Sequence, residues 1–325
     1  MANLTTKYLG LELKNPIVIG ASELTNSVEN IKTLAQAGAG AVVLKSLFEE
    51  QILMEIDSSR TNDINGSYDH VENQMGFYLK NDSVQDYLNL IKEAKAAVDI
   101  PIIASINCYD ENEWIDFGMQ VQEAGADAIE INLFVMPADT SVEGGQLEVD
   151  YKNVATKLLE VVDIPVSLKL SSYFSGLANY MMELSTLGVN GLVLFNKFYS
   201  PKVDIENEAI VSGSNRTSSY DNANTLRWMG ILSGRVQCDL SASTGIHTSE
   251  DVISNLLVGA TTTQMVSAIM NKGVAYIGDV LKGVESWMDK KGYASIDDFR
   301  GKLNQKNVEN PMMWERVQFM KYFTE

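Results

Sequence analysis

The sequence predicts an α/β fold, a closed (β/α)8 barrel of parallel strands, in one domain over residues 1–325. Short apolar runs rich in β-branched residues recur along the chain, and amphipathic stretches separate them. The first and second runs start about 25 residues apart, as do the third and fourth, the fifth and sixth, and the seventh and eighth, which matches one β–α–β step. Eight such units favour a closed barrel, with an open doubly wound sheet as the alternative. The predicted strands are 16–22, 41–46, 101–106, 128–133, 165–170, 191–196, 236–241 and 261–267.

The remaining elements follow from the amino terminus onward. Residues 5–13 are expected to form a β-hairpin that turns at Leu9-Gly10 and plugs the barrel bottom. Apolar spacing near 3.6 predicts helices over 27–37, 111–123, 151–162 and 249–257. Glycines such as Gly38 and Gly125 precede even-numbered strands, where they can end a helix. The tail, 292–325, is expected to pack on the outside.

Two long insertions follow the second and sixth predicted strands, at residues 47–100 and 198–228. Both leave the carboxyl ends of their strands, which is the face where barrel active sites lie. We therefore expect the inserted loops to cover a ligand at that face.

Composition narrows the class of protein. A net charge of −18 disfavours a nucleic-acid partner, which would need a basic face. Cys108 and Cys238 lack metal-ligand spacing, which disfavours a disulfide scaffold and an iron–sulfur cluster. His70 and His247 have no ligand pattern around them, so no metal is predicted. Residues 1–14 contain no long apolar run, so we expect a cytoplasmic protein without a membrane partner.

Polar side chains stand at the carboxyl ends of several predicted strands. Burying a lysine is costly unless its ammonium meets an anion, so two lysines at one mouth indicate an anionic or polyoxygenated ligand. The alternative is that each lysine extends to solvent or pairs with Glu130 or Glu50. The candidate residues are Lys45, Ser46, Asn132, Lys169, Asn196 and Lys197.

The last two predicted strands carry the features of a phosphate site. Ser243-Thr244-Gly245-Ile246 follows the seventh strand, and Ser267 ends the eighth. In such barrels, loops after strands seven and eight commonly hold phosphate through backbone N–H groups and a helix N-terminus. Gly245 permits close backbone approach. A phosphate-bearing ligand is therefore predicted here, with a plain turn as the alternative.

Taken in order, these motifs resemble those of the dihydroorotate dehydrogenases, especially the class 1 enzymes. The resemblance runs along nearly the whole chain, and the ordered set is more specific than any single piece. The matching pieces are Asn15-Pro16 with Ala21-Ser22, Leu44-Lys45-Ser46, Asn73-Gln74-Met75-Gly76-Phe77, Ser105-Ile106, Glu130-Ile131-Asn132-Leu133, Leu168-Lys169-Leu170, Lys290-Lys291-Gly292-Tyr293 and Phe299-Arg300-Gly301-Lys302-Leu303.

The resemblance implies an FMN cofactor across the barrel mouth and a homodimer. It implies that Lys169 lies near flavin N1 and O2 and stabilises the reduced ring, and that Lys45 and Asn132 also serve catalysis. The implied reaction passes a hydride from dihydroorotate or a similar dihydropyrimidine to flavin N5 while a base removes the neighbouring proton. The implied cofactor contacts are Ala21, Ser22, Lys45, Ser46, Asn132, Lys169, Thr244, Gly245 and Ser267. The implied substrate contacts are Lys45, Asn73, Met75, Gly76, Asn132 and Asn196.

The chain departs from the family pattern at the base. Class 1 enzymes carry a cysteine, and class 2 enzymes a serine, where this chain has Val135, which cannot carry a proton. Thr244-Gly245 replaces a Gly-Gly pair, and Val266-Ser267 replaces Gly-Thr. The runs 241–248 and 192–199 resemble instead a branch labelled dihydroorotate dehydrogenase-like. Other candidates for the base are Thr140, Ser141, Glu143 and Cys108.

Three functions remain open from the sequence. The first is an FMN oxidoreductase of the kind just described, with fumarate, oxygen or a separate partner protein as electron acceptor. The second is an FMN-binding barrel that is regulatory or acts on a different substrate, as Val135 suggests. The third is an aldolase-type barrel that uses Lys169 as a Schiff-base nucleophile.

Overall fold

Eight parallel strands pair edge to edge into a closed cylinder in the computed structural model, which describes residues 2–48, 69–107, 113–198 and 200–315. Within these ranges the side chains of residues 48, 69–82, 113 and 114 are not described. The strands are β1 Thr6–Tyr8, β2 Leu11–Leu13, β3 Ile17–Ile19, β4 Ala41–Val43, β5 Leu47–Phe48, β6 Ile102–Asn107, β7 Ala128–Asn132, β8 Val166–Leu170, β9 Gly191–Leu194, β10 Pro201–Asp204, β11 Ala209–Ser212, β12 Asp239–Ala242 and β13 Thr262–Met265. The strand order in the barrel is β4-β3-β13-β12-β9-β8-β7-β6, and β6 pairs with β4 through Val42 and Ile102 to close the ring.

Helices surround this barrel and alternate with its strands. Buried aliphatic side chains of strands and helices form one large core between the two layers. None of the helices in the described part of the chain has the length and apolar character needed to cross a membrane. The helices are α1 Val28–Gln36, α2 Asp69–Ala97, α3 Glu113–Glu123, α4 Gly144–Leu159, α5 Leu177–Ser185, α6 Asn222–Leu232, α7 Ser249–Val258, α8 Ser267–Lys272 and α9 Tyr276–Lys291.

The predicted fold class is confirmed, and all eight predicted barrel strands form. Most strand boundaries differ from the predicted ones by one to three residues. The seventh strand begins at Asp239 rather than at residue 236, because its parallel partner β9 begins opposite that residue, at Gly191. The second strand ends at Val43, so that Lys45 and Ser46 lie in the loop beyond it.

Helix boundaries differ where the first turns carry little apolar character. Helix α4 starts at Gly144, seven residues before the predicted start, because its buried side chains begin only at Tyr151. The described part of the tail packs outside the barrel as expected. The N–H groups of Gly301 and Leu303 donate to the carbonyls of Leu256 and Leu257 near the end of α7.

The amino-terminal hairpin, β1 and β2, closes the bottom of the barrel. Tyr8 and Leu9 are each 1% exposed and pack in one cluster with Val18, Val43 and other lumen residues. Gly191 makes room for this plug, because a Cβ there would lie 2.6 Å from Leu9 Cδ2. The predicted plug is therefore present, and the opposite mouth is the end left for a ligand.

Replacing Tyr8 by alanine is expected to lower the free energy of unfolding by about 3 kcal/mol, because a buried aromatic ring leaves a cavity. Tyr8→Phe should leave the stability within about 1 kcal/mol, since it keeps the buried ring and removes only one hydroxyl group. Equilibrium urea unfolding measures both. Equal losses for the two variants would contradict the assigned packing.

Candidate active site

Two adjoining cavities open at the carboxyl ends of the barrel strands. The larger has a volume of about 340 Å³ and the smaller about 160 Å³. Both are lined by Ala21, Ser22, Glu23, Lys169 and Asn196, so they form one continuous site. The larger volume falls in the range of small-molecule and cofactor pockets.

Lys45 lies at the rim of the smaller cavity, beside Glu23. The Lys45 Nζ lies 2.7 Å from Glu23 Oε1. Ser22 sets the turn that carries this carboxylate, because its Oγ accepts the N–H of Leu24 at 3.3 Å. The hydrogen bond from Lys45 lowers the pKa of Glu23 below its ordinary value, which makes Glu23 a weak base.

Lys169 lies at the floor between the two cavities, inside a polar network of the barrel lumen. Its ammonium donates to Gln264 Oε1 at 2.9 Å and lies 3.4 Å from Glu130 Oε1. Gln264 Nε2 donates to the other oxygen of Glu130 at 2.5 Å. Since β13 does not neighbour β7 or β8, Gln264 reaches across the lumen. The network fixes a buried cation whose charge Glu130 balances.

Amide and hydroxyl groups complete the smaller cavity. Asn196 Nδ2 donates to Asn132 Oδ1 at 2.7 Å, which orients both amides toward one another. The Ser46 hydroxyl lies 2.7 Å from that of Ser105. These groups leave lone pairs and N–H bonds that can meet a polar ring.

Thr244 and Gly245 form a left-handed turn after β12, with φ angles of 78° and 80°. The Thr244 hydroxyl donates to the carbonyl of Phe195 at 2.8 Å, which helps hold this turn. Gly245 is required, because a Cβ would lie 2.2 Å from the backbone nitrogen of Asn222. Among the described residues, no acceptor meets the N–H groups of Gly245 and Ile246. These donors are available to an anion.

A strap, residues 214–217 of the insertion after β9, lies against the larger cavity. Thr217 N donates to Ser267 Oγ at 3.0 Å, and its hydroxyl lies 2.9 Å from His247 Nε2. Asn215 and Thr217 therefore join the lining of that cavity. His247 has a structural partner in the strap.

The strap contact is expected to weaken in acid. Burial lowers the pKa of His247 below its ordinary value of 6.5. The unfolded chain then binds a proton more readily, so stability present above pH 6.5 is lost as the pH falls through the lowered pKa. Urea unfolding at about pH 7.5 and about pH 5.5 should show a larger loss for the wild type than for His247→Gln. An equal loss in the two proteins would exclude this role.

The loop after β7 is apolar at the position where the class 1 enzymes that the sequence resembles carry their base. Val135 is half-buried, and its N–H donates to the Tyr151 hydroxyl at 2.9 Å. The Phe134 and Phe198 rings lie 4.4 Å apart, and the Tyr173 and Phe198 rings 4.5 Å apart. This aromatic cluster supplies contact area, and its two phenylalanine rings carry no proton acceptor.

Three of the four other candidate bases do not line the described cavities. Thr140, Ser141 and Glu143 are exposed, and Ser141 bonds to Asp139 at 2.7 Å. Cys108 lies outside the described residues. Within the described part of the chain, Glu23 and Glu130 are the carboxylates that line the smaller cavity.

The structure brings most of the predicted site residues to this mouth. Asn73, Met75 and Gly76, which we predicted in a loop, fall within the backbone of α2, and their side chains lie outside the described residues. Those that line the cavities are Ala21, Ser22, Lys45, Ser46, Asn132, Lys169, Asn196, Lys197, Thr244, Gly245 and Ser267.

Sequence reasoning missed other lining residues. Gln264 carried a usable signal, since it is a long polar residue in a strand whose other members are two threonines and a methionine, all buried. Glu23 carried none, because its position depends on a short turn. Asn215 and Thr217 lie in an insertion whose path no periodicity predicts.

The chain is similar in sequence to members of one protein family. Residues 3–288 match the family model described as dihydroorotate dehydrogenase. The chain is 25% identical over 320 residues to the catalytic subunit of dihydroorotate dehydrogenase B (NAD(+)) of Thermoplasma acidophilum, covering 93% of this chain and 99% of that relative. It is 26% identical over 330 residues to the NAD-dependent dihydropyrimidine dehydrogenase subunit PreA of Escherichia coli, covering 94% of this chain and 78% of that relative.

Proposed function

The chain belongs to the dihydroorotate dehydrogenase family, whose members are oxidoreductases acting on CH–CH bonds, and from this premise we propose that it is an FMN-dependent oxidoreductase of dihydroorotate or a similar small dihydropyrimidine. The observation that carries the proposal is the buried Lys169 ammonium on the floor of a mouth site whose far side carries the N–H groups of Gly245 and Ile246, which meet no acceptor among the described residues. The names of its relatives cover both dihydroorotate and dihydropyrimidine substrates.

The residues present fit FMN. The larger cavity joins the Lys169 floor to the turn at Thr244 and Gly245, so a ring and a phosphate have separate places in it. Gly245 has no side chain and no room for one, so its backbone N–H is the group that can bind a ligand. Backbone N–H groups of this kind bind phosphate in other proteins. Ser267 and the strap residues Asn215 and Thr217 add polar groups on the same side.

The chain's own residues would bind and orient the reactants. Bound FMN would supply a two-electron acceptor. Lys169 presents a positive charge from the floor, and Gln264 fixes its direction. Asn132 and Asn196 lie where they can bind the amide edge of a substrate ring. Lys45 lies at the outer rim of the same cavity.

An absorption spectrum followed by anaerobic titration tests the proposal. The purified protein is expected to be yellow, or to become so when FMN is added, and dihydroorotate or dihydrouracil should bleach the flavin absorbance. A protein that stays colourless with added FMN would remove the proposal.

A second candidate function is an FMN-binding barrel without this dehydrogenase activity. Val135 favours it, because its side chain cannot accept a proton, and Glu23 is a weak base. It predicts a yellow protein that dihydropyrimidines do not reduce under anaerobic conditions. The Schiff-base alternative loses support, since the family is one of oxidoreductases and the Lys169 ammonium is engaged by Gln264.

A homodimer is part of the proposal. Val203, Ile205 and Ile210 on the β10–β11 hairpin are 63%, 79% and 77% exposed, and apolar patches of this kind commonly mark contact surfaces. Light scattering should give twice the chain mass of 35.9 kDa. Replacing Ile205 and Ile210 by aspartate should then give the monomer mass, and a wild type that is already monomeric would refute the dimer.

A further inference from the structure

Three lysines of the mouth site are each paired with a carboxylate of the same chain. Lys45 Nζ lies 2.7 Å from Glu23, Lys169 Nζ lies 3.4 Å from Glu130, and Lys197 Nζ lies 3.2 Å from Asp221. The formal charges of these pairs cancel. A ligand that enters therefore meets balanced charges rather than a cationic patch.

The smaller cavity is the one in which this balance bears on substrate choice. It is lined by two of the pairs, together with the amides of Asn132 and Asn196 and the hydroxyl of Ser46. Its volume of about 160 Å³ suits a single six-membered ring, since a cavity of about 150 Å³ accommodates benzene. Amides and hydroxyls can both donate and accept, which matches a ring edge of alternating N–H and C=O groups.

A carboxylate on that ring would be repelled by Glu23 at the rim of the cavity. Glu23 Oε1 already takes one of the three N–H donors of Lys45, so a substrate carboxylate that binds Lys45 must displace Glu23 or lie beside it. Two carboxylates sharing one ammonium repel each other. The net charge of −18 adds a background field that disfavours anions in general.

We propose that the mouth site, through the Glu23–Lys45 pair, selects an uncharged dihydropyrimidine ring over its carboxylated counterpart. The inference rests on the proposed function and deepens it. Glu23 acts here as a specificity-determining residue, because its charge opposes the substrate carboxylate while the amides that bind the ring stay in place. Its side chain is 65% exposed, so a neutral replacement leaves the core intact.

Binding of uracil and orotate to the FMN-loaded full-length protein tests this proposal, with perturbation of the flavin absorption as readout. The wild type should bind uracil roughly tenfold more tightly than orotate. Glu23→Gln should tighten orotate roughly tenfold and leave uracil within about twofold, as expected for one charge removed near the ligand carboxylate. Glu160→Gln is the matched control, because it removes an exposed carboxylate at the end of α4, outside the cavity lining, and should change neither affinity.

Tighter binding of orotate by the wild type, or an unchanged uracil-to-orotate ratio in Glu23→Gln, would overturn the selectivity and leave the proposed function standing. Failure of the yellow protein to bind either ring would overturn the inference together with the proposed substrate. If the protein did not bind FMN, the proposed function itself would be contradicted.

Discussion

Replacing Lys169 by methionine should lower the anaerobic rate of flavin reduction by dihydropyrimidine by about 10² to 10³-fold, because the positive charge at the cavity floor is lost. The same change should lower the free energy of unfolding by about 3–5 kcal/mol, since it leaves the Glu130 carboxylate, 1% exposed, without its cation. Stopped-flow absorbance measures the first effect, and urea unfolding measures the second.

The double variant Lys169→Met/Glu130→Gln separates the two effects. Removing the orphaned charge should recover most of the stability, because Gln264 still meets a polar partner at residue 130. Flavin reduction should stay slow, since the cation is still missing. If the double variant reduced its flavin at the wild-type rate, Lys169 would have no role in the chemistry.

Replacing Gly245 by alanine is expected to weaken FMN binding by roughly 100-fold, which corresponds to about 2.7 kcal/mol. The added Cβ would lie 2.2 Å from the backbone nitrogen of Asn222, so the turn must shift and take its N–H donors with it. The left-handed φ of 80° adds strain for any residue with a side chain. Quenching of FMN fluorescence on binding measures the affinity.

Gly125→Ala provides the matched control. Gly125 also has a left-handed φ, of 94°, but a Cβ there would meet nothing within 4 Å. This variant should lose about 1 kcal/mol of stability from backbone strain alone and bind FMN as the wild type does. If both glycine variants bound FMN normally, the turn at Gly245 would not be the phosphate cradle.

The barrel could be predicted from sequence because its signals are local and repeated. Runs such as 165–170 are apolar, short and bounded by proline or glycine, and this pattern persists whatever the run later packs against. Strand boundaries that are set by a partner strand could not be predicted in the same way. The start of β12 at Asp239 is fixed by pairing with Gly191, which no local pattern contains.

The site was predictable where a polar residue interrupts a buried strand. Lys169 and Asn132 stand out in this way, and both line the mouth. Glu23 and Thr217 were not predictable, because a turn and a long insertion place them. The pairing of the lysines with carboxylates was not predicted either. Lys45 stands out in the sequence as a cation after a strand, but only the structure shows that Glu23 is its partner.

A crystal structure of the FMN-loaded protein tests the central claim most directly. We expect the phosphate oxygens at hydrogen-bonding distance, roughly 3 Å, from the backbone nitrogens of Gly245 and Ile246, and the flavin ring against the Lys169 ammonium. FMN bound away from this mouth, or with its phosphate at the Lys45 rim, would contradict the assignment of the two sides of the site.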